Sequence, residues 1–286
     1  MKILIVRKRK LGKTSCEGIA NASKTGISVV RNDKMNNSDF EGVSMAIRWG
    51  CTSTIPIKNV LNTSNSIHIV SDKSGFRKLL CSQEDTKENT PYTVFTVEDA
   101  FDEIISGHTL FVRPKTHSQG KNVYVVDNRD DFIEAMVKCG DGWYASRYIN
   151  KVAEYRVFVL RGKVVWVASK TPANPKAYAW NVAQGGRFDN VKWGDWNLNV
   201  CKVAIRAMYH SGLDFGGVDV MVDNTGKPYI IEINSAPSQT SPYRQSCVAK
   251  AFDYVVMNGK DWIESVKEVS SWKDYIHPGV YEKGTQ

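Results

Sequence analysis

Residues 229–237 read Tyr-Ile-Ile-Glu-Ile-Asn-Ser-Ala-Pro. A β-rich apolar run of this kind suits burial, yet a carboxylate and an amide interrupt it two residues apart. Side chains of a strand alternate between its faces, so Glu232 and Asn234 project to the same side. A strand over 214–222 and one over 227–233 flank the turn Asp223-Asn224-Thr225-Gly226. With Val222 paired to Lys227 across that turn, Asp219 falls opposite Ile230, on the face of Glu232 and Asn234. Two carboxylates and an amide oxygen are hard ligands. They suit Mg²⁺, or Mn²⁺ in its place, which fills the rest of its shell with phosphate oxygens and water. A solvated polar sheet face is the plain alternative. Tyr229, Ile230, Ile231 and Ile233 argue for burial instead, and paired buried carboxylates need a cation.

A second stretch, FVRPKTHSQGKNVYVV over 111–126, sets two apolar strands around a loop. The loop holds Lys115, His117, Ser118, Gln119, Gly120 and Lys121, and such loops can fold over phosphates with backbone N–H groups and cations. Alone the signal is weak, because basic hairpin loops are often only surface. Gly12-Lys13-Thr14 imitates a P-loop, but that motif needs a glycine at position 7, which is Arg. His68, His108, His210 and His277 are isolated and read as structural or exposed. Trp143 and Trp180 are candidates for lining a cleft, although most tryptophans serve the core.

The elements that must position these groups follow from pattern. Residues 2–7, 43–49 and 67–70 read as strands of a small α/β unit, with polar loops at 32–39 and 62–66. Ser71 or Asp72 caps a helix over 73–81. Strand 92–95, helix 97–106 capped by Thr96, strands 109–113 and 122–126, and helix 129–139 capped by Asp127 or Asn128 make a second unit. From 143 the chain is strand-rich (143–149, 154–160, 163–169), with Arg161-Gly162 as a tight hairpin turn. A polar segment over 171–194 precedes helices at 195–211 and about 243–257. The tail from Lys260 carries two tryptophans and is expected to pack on the body. The division expected is 1–70, 71–140, 141–260 and a tail, 261–286.

The chain has 286 residues, 42% hydrophobic and 24% charged, as in ordinary globular proteins. No apolar run reaches the roughly 18 residues of a membrane span, and the apolar core of the N-terminus is too short for a signal peptide. Cys16, Cys51, Cys81, Cys139, Cys201 and Cys247 are scattered without a Cys-x-x-Cys pair. This suggests reduced thiols and a cytoplasmic location. The net charge of +8 favours polyanions, from nucleotide phosphates to nucleic acid, and cannot separate them. Nothing in the sequence speaks to the oligomeric state.

Taken in order, these features resemble the ATP-grasp superfamily over roughly residues 70–258. Within it the chain is most similar to carboxylate–amine ligases of the ribosomal-protein glutamate ligase type. The resemblance implies an α+β fold in which two subdomains clamp ATP between antiparallel sheets, behind a small N-terminal α/β domain. It implies that Lys73 and Arg113 contact the nucleotide, with Arg113 standing where the family has lysine. The charge persists but the shape differs. Residues 115–121 match the glycine-rich phosphate loop. Ser146, Arg147, Tyr148 and Ile149 match the hinge that reads adenine, with Arg147 replacing an acid. Glu154 and Arg156 match the family's acidic residue and substrate-side arginine, and Asn181 to Gly186 match Asn-x-x-x-Gly-Gly. Asp219, Glu232 and Asn234 match its magnesium ligands.

The function so implied is an ATP-dependent ligase that joins a carboxylate to an amine through an acyl phosphate. Arg156, Lys170, Arg187 and Asn181 are the candidates to steady the developing charge. A phosphotransferase would use the same metal site without an amine acceptor, and a non-catalytic nucleotide- or nucleic-acid-binding module would need no acceptor at all. The sequence reveals neither the acid nor the amine, and the acceptor could be an amino acid, a peptide, a protein tail or a modified base.

Overall fold

The computed structural model describes residues 2–116, 122–174, 180, 185–259 and 271–282. The chain opens with β1 (Lys2–Arg7), α1 (Lys13–Ala22), β2 (Ile27–Arg31), β3 (Val43–Trp49) and β4 (Val60–Leu61). These strands form a parallel sheet in the order β2-β1-β3-β4. α1 and β2 go beyond the sequence expectations. Residues 67–70 are not a strand but lie inside α2 (Ser64–Ser71). The Thr63 side chain caps it by accepting from the Ser66 N–H at 3.0 Å, and Ser66, Ile67 and Val70 are buried at helical spacing. A four-residue apolar run cannot by itself separate helix from strand.

Next come α3 (Lys73–Ser82), β5 (Thr93–Val94), α4 (Val97–Ile105), β6 (Leu110–Arg113), β7 (Tyr124–Val126), α5 (Arg129–Cys139) and β8 (Tyr144–Arg147). Asp72, Thr96 and Asn128 each cap the helix that follows through a side-chain oxygen. The strands form an antiparallel sheet, β5-β8-β6-β7, which reaches past residue 140 to Arg147. Its core is separate and small, centred on Leu110, Val112, Phe132 and Ala145.

The third sheet is antiparallel, β11-β10-β9-β12-β13. It is built from β9 (Lys151–Leu160), β10 (Lys163–Thr171), β11 (Arg187–Asn190), β12 (Phe215–Asp223) and β13 (Pro228–Asn234). Arg161 and Gly162, at φ 51° and 75°, turn β9 into β10 with both residues left-handed, as a type I′ turn requires. α6 (Leu198–Ser211) and α7 (Pro242–Asn258) pack on it. One core runs through this sheet and the N-terminal sheet together: Trp49 of β3 stacks on Phe215 at 5.4 Å and on Phe158 at 6.5 Å. Asp253 of α7 adds a polar tie, accepting from the Ser23 and Thr25 hydroxyls at 2.6 Å each and from the Lys24 N–H at 2.9 Å.

The described part of the tail includes α8 (Trp272–Tyr275), with Trp272 against Trp193 and Trp196. His277 follows, 3% exposed, its N–H donating to the Val164 carbonyl at 2.7 Å and its Nδ1 accepting from the Gly279 N–H at 3.1 Å. Burial, helped by Lys163, pulls its pKa from 6.5 down to about 4. The folded chain therefore keeps this imidazole neutral while the unfolded chain protonates it, so its contribution is full above 6.5 and is lost as pH falls towards 4. The urea midpoint should drop between pH 7 and pH 5 by the equivalent of about 2 kcal/mol. His277→Gln should remove most of that drop. Equal drops in the two proteins would show that another group is responsible.

Candidate active site

The last hairpin differs from its simplest register in a way that matters. Val222 pairs with Pro228 rather than Lys227, and Val220 with Ile230. A β-bulge then inserts Ile231, so Asp219 sits directly opposite Glu232, not Ile230. A bulge puts two residues against one and re-aims the side chains beyond it. Here it brings two carboxylates together. The bulge carbonyls have a dedicated partner. Arg77 of α3, 3% exposed, donates to the Ile230 carbonyl at 3.0 Å and the Ile231 carbonyl at 2.6 Å. Buried carbonyls left without a donor cost about 1–3 kcal/mol each. Arg77→Met keeps much of the volume and removes both donors. It should lower unfolding free energy by about 2–4 kcal/mol in urea titrations. A loss below about 1 kcal/mol would mean the bulge holds without Arg77.

Around the acids the side chains form a continuous polar cluster. Arg156, opposite Asp219 in the β9–β12 ladder, grips it in a fork: Nε to Oδ1 at 2.6 Å and Nη2 to Oδ2 at 2.8 Å. Lys170 of β10 donates to Asp219 at 2.8 Å and also to Glu154. Lys151 is the second partner of Glu154. On the other side, Lys73, at the head of α3, donates to Glu232 at 2.6 Å, and Asn234 Nδ2 donates to Glu232 at 3.0 Å. Burial alone would raise both carboxyl pKa values. Arg156 and Lys170 more than offset this at Asp219, and Lys73, then Asn234, do so at Glu232. Both are therefore held below the usual carboxylate range. Burial acts against Lys170 as well, but Asp219 and Glu154 keep it charged with a raised pKa.

The donor set fits a hard divalent cation. Among the described residues no group of three His, Cys, Asp or Glu is arranged to hold a metal ion, so the ligands would be two carboxylates and an amide. Asn234 uses its Nδ2 on Glu232, and its carbonyl oxygen accepts from no group among the described residues. Four cations, Lys73, Lys151, Arg156 and Lys170, surround three carboxylates, Glu154, Asp219 and Glu232. The surplus favours a further anion.

Other sequence-named residues lie around this centre. The Lys73 N–H donates to the Lys115 carbonyl at 3.2 Å, and Lys115 Nζ reaches Asp72 at 3.2 Å, which ties α3 to the loop after β6. Arg113 lies over Phe111 and Tyr144. Arg147 is bound by Glu103 of α4 (Nη2 to Oε1, 2.9 Å) and lies over Tyr92 at 4.5 Å, not with the carboxylates. In the hinge, the Arg147 N–H donates to Tyr92 and the Tyr148 N–H to Thr109, at 2.9 and 2.8 Å. Ser146 is buried, and Ile149 follows Tyr148 just beyond β8. Arg187 is 72% exposed on β11 and pairs with Asp189 at 3.1 Å, outside the cluster. His117, Ser118, Gln119, Gly120, Lys121 and Asn181 lie outside the described residues. Lys151 and Arg77 are not among the sequence candidates. Only Lys151, three residues before Glu154 at the start of a strand, leaves a legible sign.

The N-terminal unit touches the same place. Gly50, at φ +69° after β3, abuts Ala236 so closely that a Cβ there would meet the Ala236 Cβ at 2.6 Å. Only glycine allows both that conformation and that approach.

A family model described as "Prokaryotic glutathione synthetase, ATP-grasp domain" matches residues 83–244. The chain belongs to this family. The match takes in every acid of the cluster, Glu154, Asp219 and Glu232, but not Lys73. Probable alpha-L-glutamate ligases of Shewanella amazonensis and Shewanella baltica are each 32% identical over 140 residues, 47% of this chain and 45% of theirs. The chain thus spans about half the length of the curated relatives it matches. Among solved structures, the ATP-grasp ligase PsnB complexed with minimal precursor, Mg and ADP is 12% identical with a TM-score of 0.64, covering 89% of this chain and 97% of that one. D-alanine–D-alanine ligase of Bacillus anthracis is 19% identical with a TM-score of 0.61, covering 90% and 94%. Likeness at these identities is one of fold, and it is the ATP-grasp fold, with helices and sheets of the α+β type. Among the described residues no helix is long and apolar enough to cross a membrane.

Proposed function

We propose that this ATP-grasp chain is an ATP-dependent carboxylate–amine ligase. The reading rests chiefly on the cluster of buried Asp219 with half-buried Glu232 and Asn234, ringed by Lys73, Arg156 and Lys170. Kinship with relatives named glutamate ligases supports it. In this reading a substrate carboxylate oxygen bonds to the γ-phosphorus of ATP as ADP departs. An amine then bonds to the acyl carbon, and phosphate and a proton leave.

The chain's own groups have distinct tasks. Asp219, Glu232 and the Asn234 amide oxygen would hold Mg²⁺, which when bound neutralises triphosphate charge and keeps the transferring group in line. Lys73, which bridges α3 and Glu232, would meet phosphate oxygens, with Arg113 and the 115–121 segment on the second sheet. Arg156 and Lys170, fixed by Asp219 and Glu154, would face the acyl carbon and its developing oxyanion. The two antiparallel sheets would be the jaws, and the unit over 1–70 would help select substrate. All six cysteines are unbridged, which suits a cytoplasmic enzyme.

The test is phosphate release from ATP and Mg²⁺ across a panel of amino acids and peptides, with mass spectrometry of the products. A new amide, with ADP and phosphate formed in equal amount, is the expected result. A phosphorylated acceptor without free phosphate would replace the ligase with a kinase.

A further inference from the structure

Phe188 stands on β11, the edge strand of the third sheet, and is half-buried. It lies directly opposite Lys170 of β10. Ala168, two residues before Lys170, lies opposite Arg156, and Arg156 lies opposite Asp219. Opposed residues of antiparallel strands share a face, as do residues two apart on one strand. Phe188 therefore closes the row of side chains that crosses the sheet through Lys170 and Arg156 to Asp219. The Arg156 guanidinium lies over its ring at 4.8 Å and the Lys170 ammonium at 5.6 Å. Arg244 of α7 reaches the same ring at 5.5 Å.

Three cations thus meet at one aromatic side chain. Arg156 repels the other two, and like charges this close spread apart unless something holds them. Asp219 and Glu154 hold Lys170, and Asp219 holds Arg156 through Nε and Nη2. Those bonds fasten one edge of the guanidinium and leave it free to hinge about the carboxylate. The ring supplies the missing restraint. Its face is electron-rich and attracts a cation most strongly where water is excluded. Nη1 of Arg156 hydrogen-bonds to no group among the described residues and remains for a substrate oxygen. A leucine at 188 would fill similar space without such a face.

We propose that Phe188 is a positioning residue, whose ring holds Arg156 and Lys170 in place for acyl transfer without itself touching the substrate. This rests on the ligase reading for what the two cations act on, while the restraint stands on the sheet register and the ring distances. A side chain that only excludes water can be any apolar group of this size. A positioning ring has to be electron-rich.

The experiment replaces Phe188 in the full chain by mono-, di- and trifluorophenylalanine, which nearly keep its shape and withdraw electrons from the ring in steps. In steady-state amide formation, kcat should fall with each fluorine, by about tenfold over the series, with KM for ATP changed by no more than about twofold. Phe188→Leu should lose at least as much, and Phe188→Tyr, still electron-rich, should keep most of the rate. A second measurement needs no turnover. The Arg156 Nε–H, which donates to Asp219, is followed by NMR as it exchanges with solvent, and is assigned by its loss in Arg156→Lys. Its exchange should quicken by about tenfold in Phe188→Leu. A kcat indifferent to fluorination would reduce Phe188 to an apolar cover, and an unchanged exchange rate would show that the ring does not restrain Arg156. Either result overturns the proposal. If the wild type forms no amide with any acceptor, the ligase reading fails, and the exchange rate alone still decides whether the ring restrains Arg156.

Discussion

Glu232→Gln is expected to abolish ATP turnover, by about 10³-fold or more, while the protein remains folded. The side chain is nearly isosteric, so the packing of β13 has no reason to change. What disappears is one full negative charge between Lys73 and Asn234. In the wild type that charge is secure. Burial works against it, but Lys73 and Asn234 hold its pKa well below the usual range, so it is ionised at every working pH. With glutamine there, the proposed metal site has a single carboxylate, Asp219, and Arg156 and Lys170 already engage it. Extra Mg²⁺ should not rescue the variant. The measurement is ADP formation against Mg²⁺ concentration, with circular dichroism to verify the fold. Turnover at the wild-type rate would sink the metal assignment. The sign of the pH dependence is also determined. Both carboxylates have depressed pKa values, so their contribution to stability and metal binding is present above about pH 4 and is lost only in acid below that. A loss of activity between about pH 8 and pH 6 would have to come from other groups.

Much of this arrangement is legible in the sequence, and the parts that are not share a cause. The alternation in Tyr229 to Asn234 announces a strand with a functional face, because a two-residue period needs no partner to be recognised. Caps at Asp72, Thr96 and Asn128 are equally local, and the helices begin where they indicate. The register of the last hairpin is not local. Nothing in Asp223 to Gly226 signals that Ile231 will bulge, and the group that meets its carbonyl, Arg77, lies more than 150 residues away in sequence. Arg77 itself reads as an ordinary charge on an amphipathic helix, yet it is buried to serve another strand. Arg244 is likewise buried, although it follows Pro242 and Tyr243 in what looks like the solvated first turn of α7. α2 is obscured because Ile67, Ile69 and Val70 are β-branched, while the Thr63 cap and the burial of one face decide for helix. Local patterns thus expose the ligand strand, whereas the cations that hold it in place come from tertiary pairing.

Arg156→Ala should separate chemistry from binding. Arg156 stands opposite Asp219 in the ladder and holds it with two parallel bonds, so its guanidinium is pre-oriented before any substrate arrives. Such preorganised charge is worth most where charge develops during reaction. Turnover should fall by about 10²–10³-fold, with ATP affinity changed by no more than about threefold. Lys170 stays on Asp219 in the variant, so the carboxylate is not left alone and the fold should persist. Arg156→Lys should recover only part of the rate, because a point charge cannot reproduce the fork. The proposed reaction class draws on the same wall. A hydroxyl acceptor would want a general base beside it. Residues 171–188 contain no Asp or Glu. Asp189, the next acid, lies on exposed β11, engaged by Thr171 and Arg187. A wall of Arg156 and Lys170 instead suits the oxyanion that forms when an amine adds to an activated acyl carbon. Rapid-quench measurement of the Arg156→Ala enzyme should accordingly show slowed amide formation with nucleotide still bound. A loss of nucleotide binding equal to the loss of rate would reassign Arg156 to holding ATP, and a stable phosphorylated acceptor would move the enzyme to the kinase class.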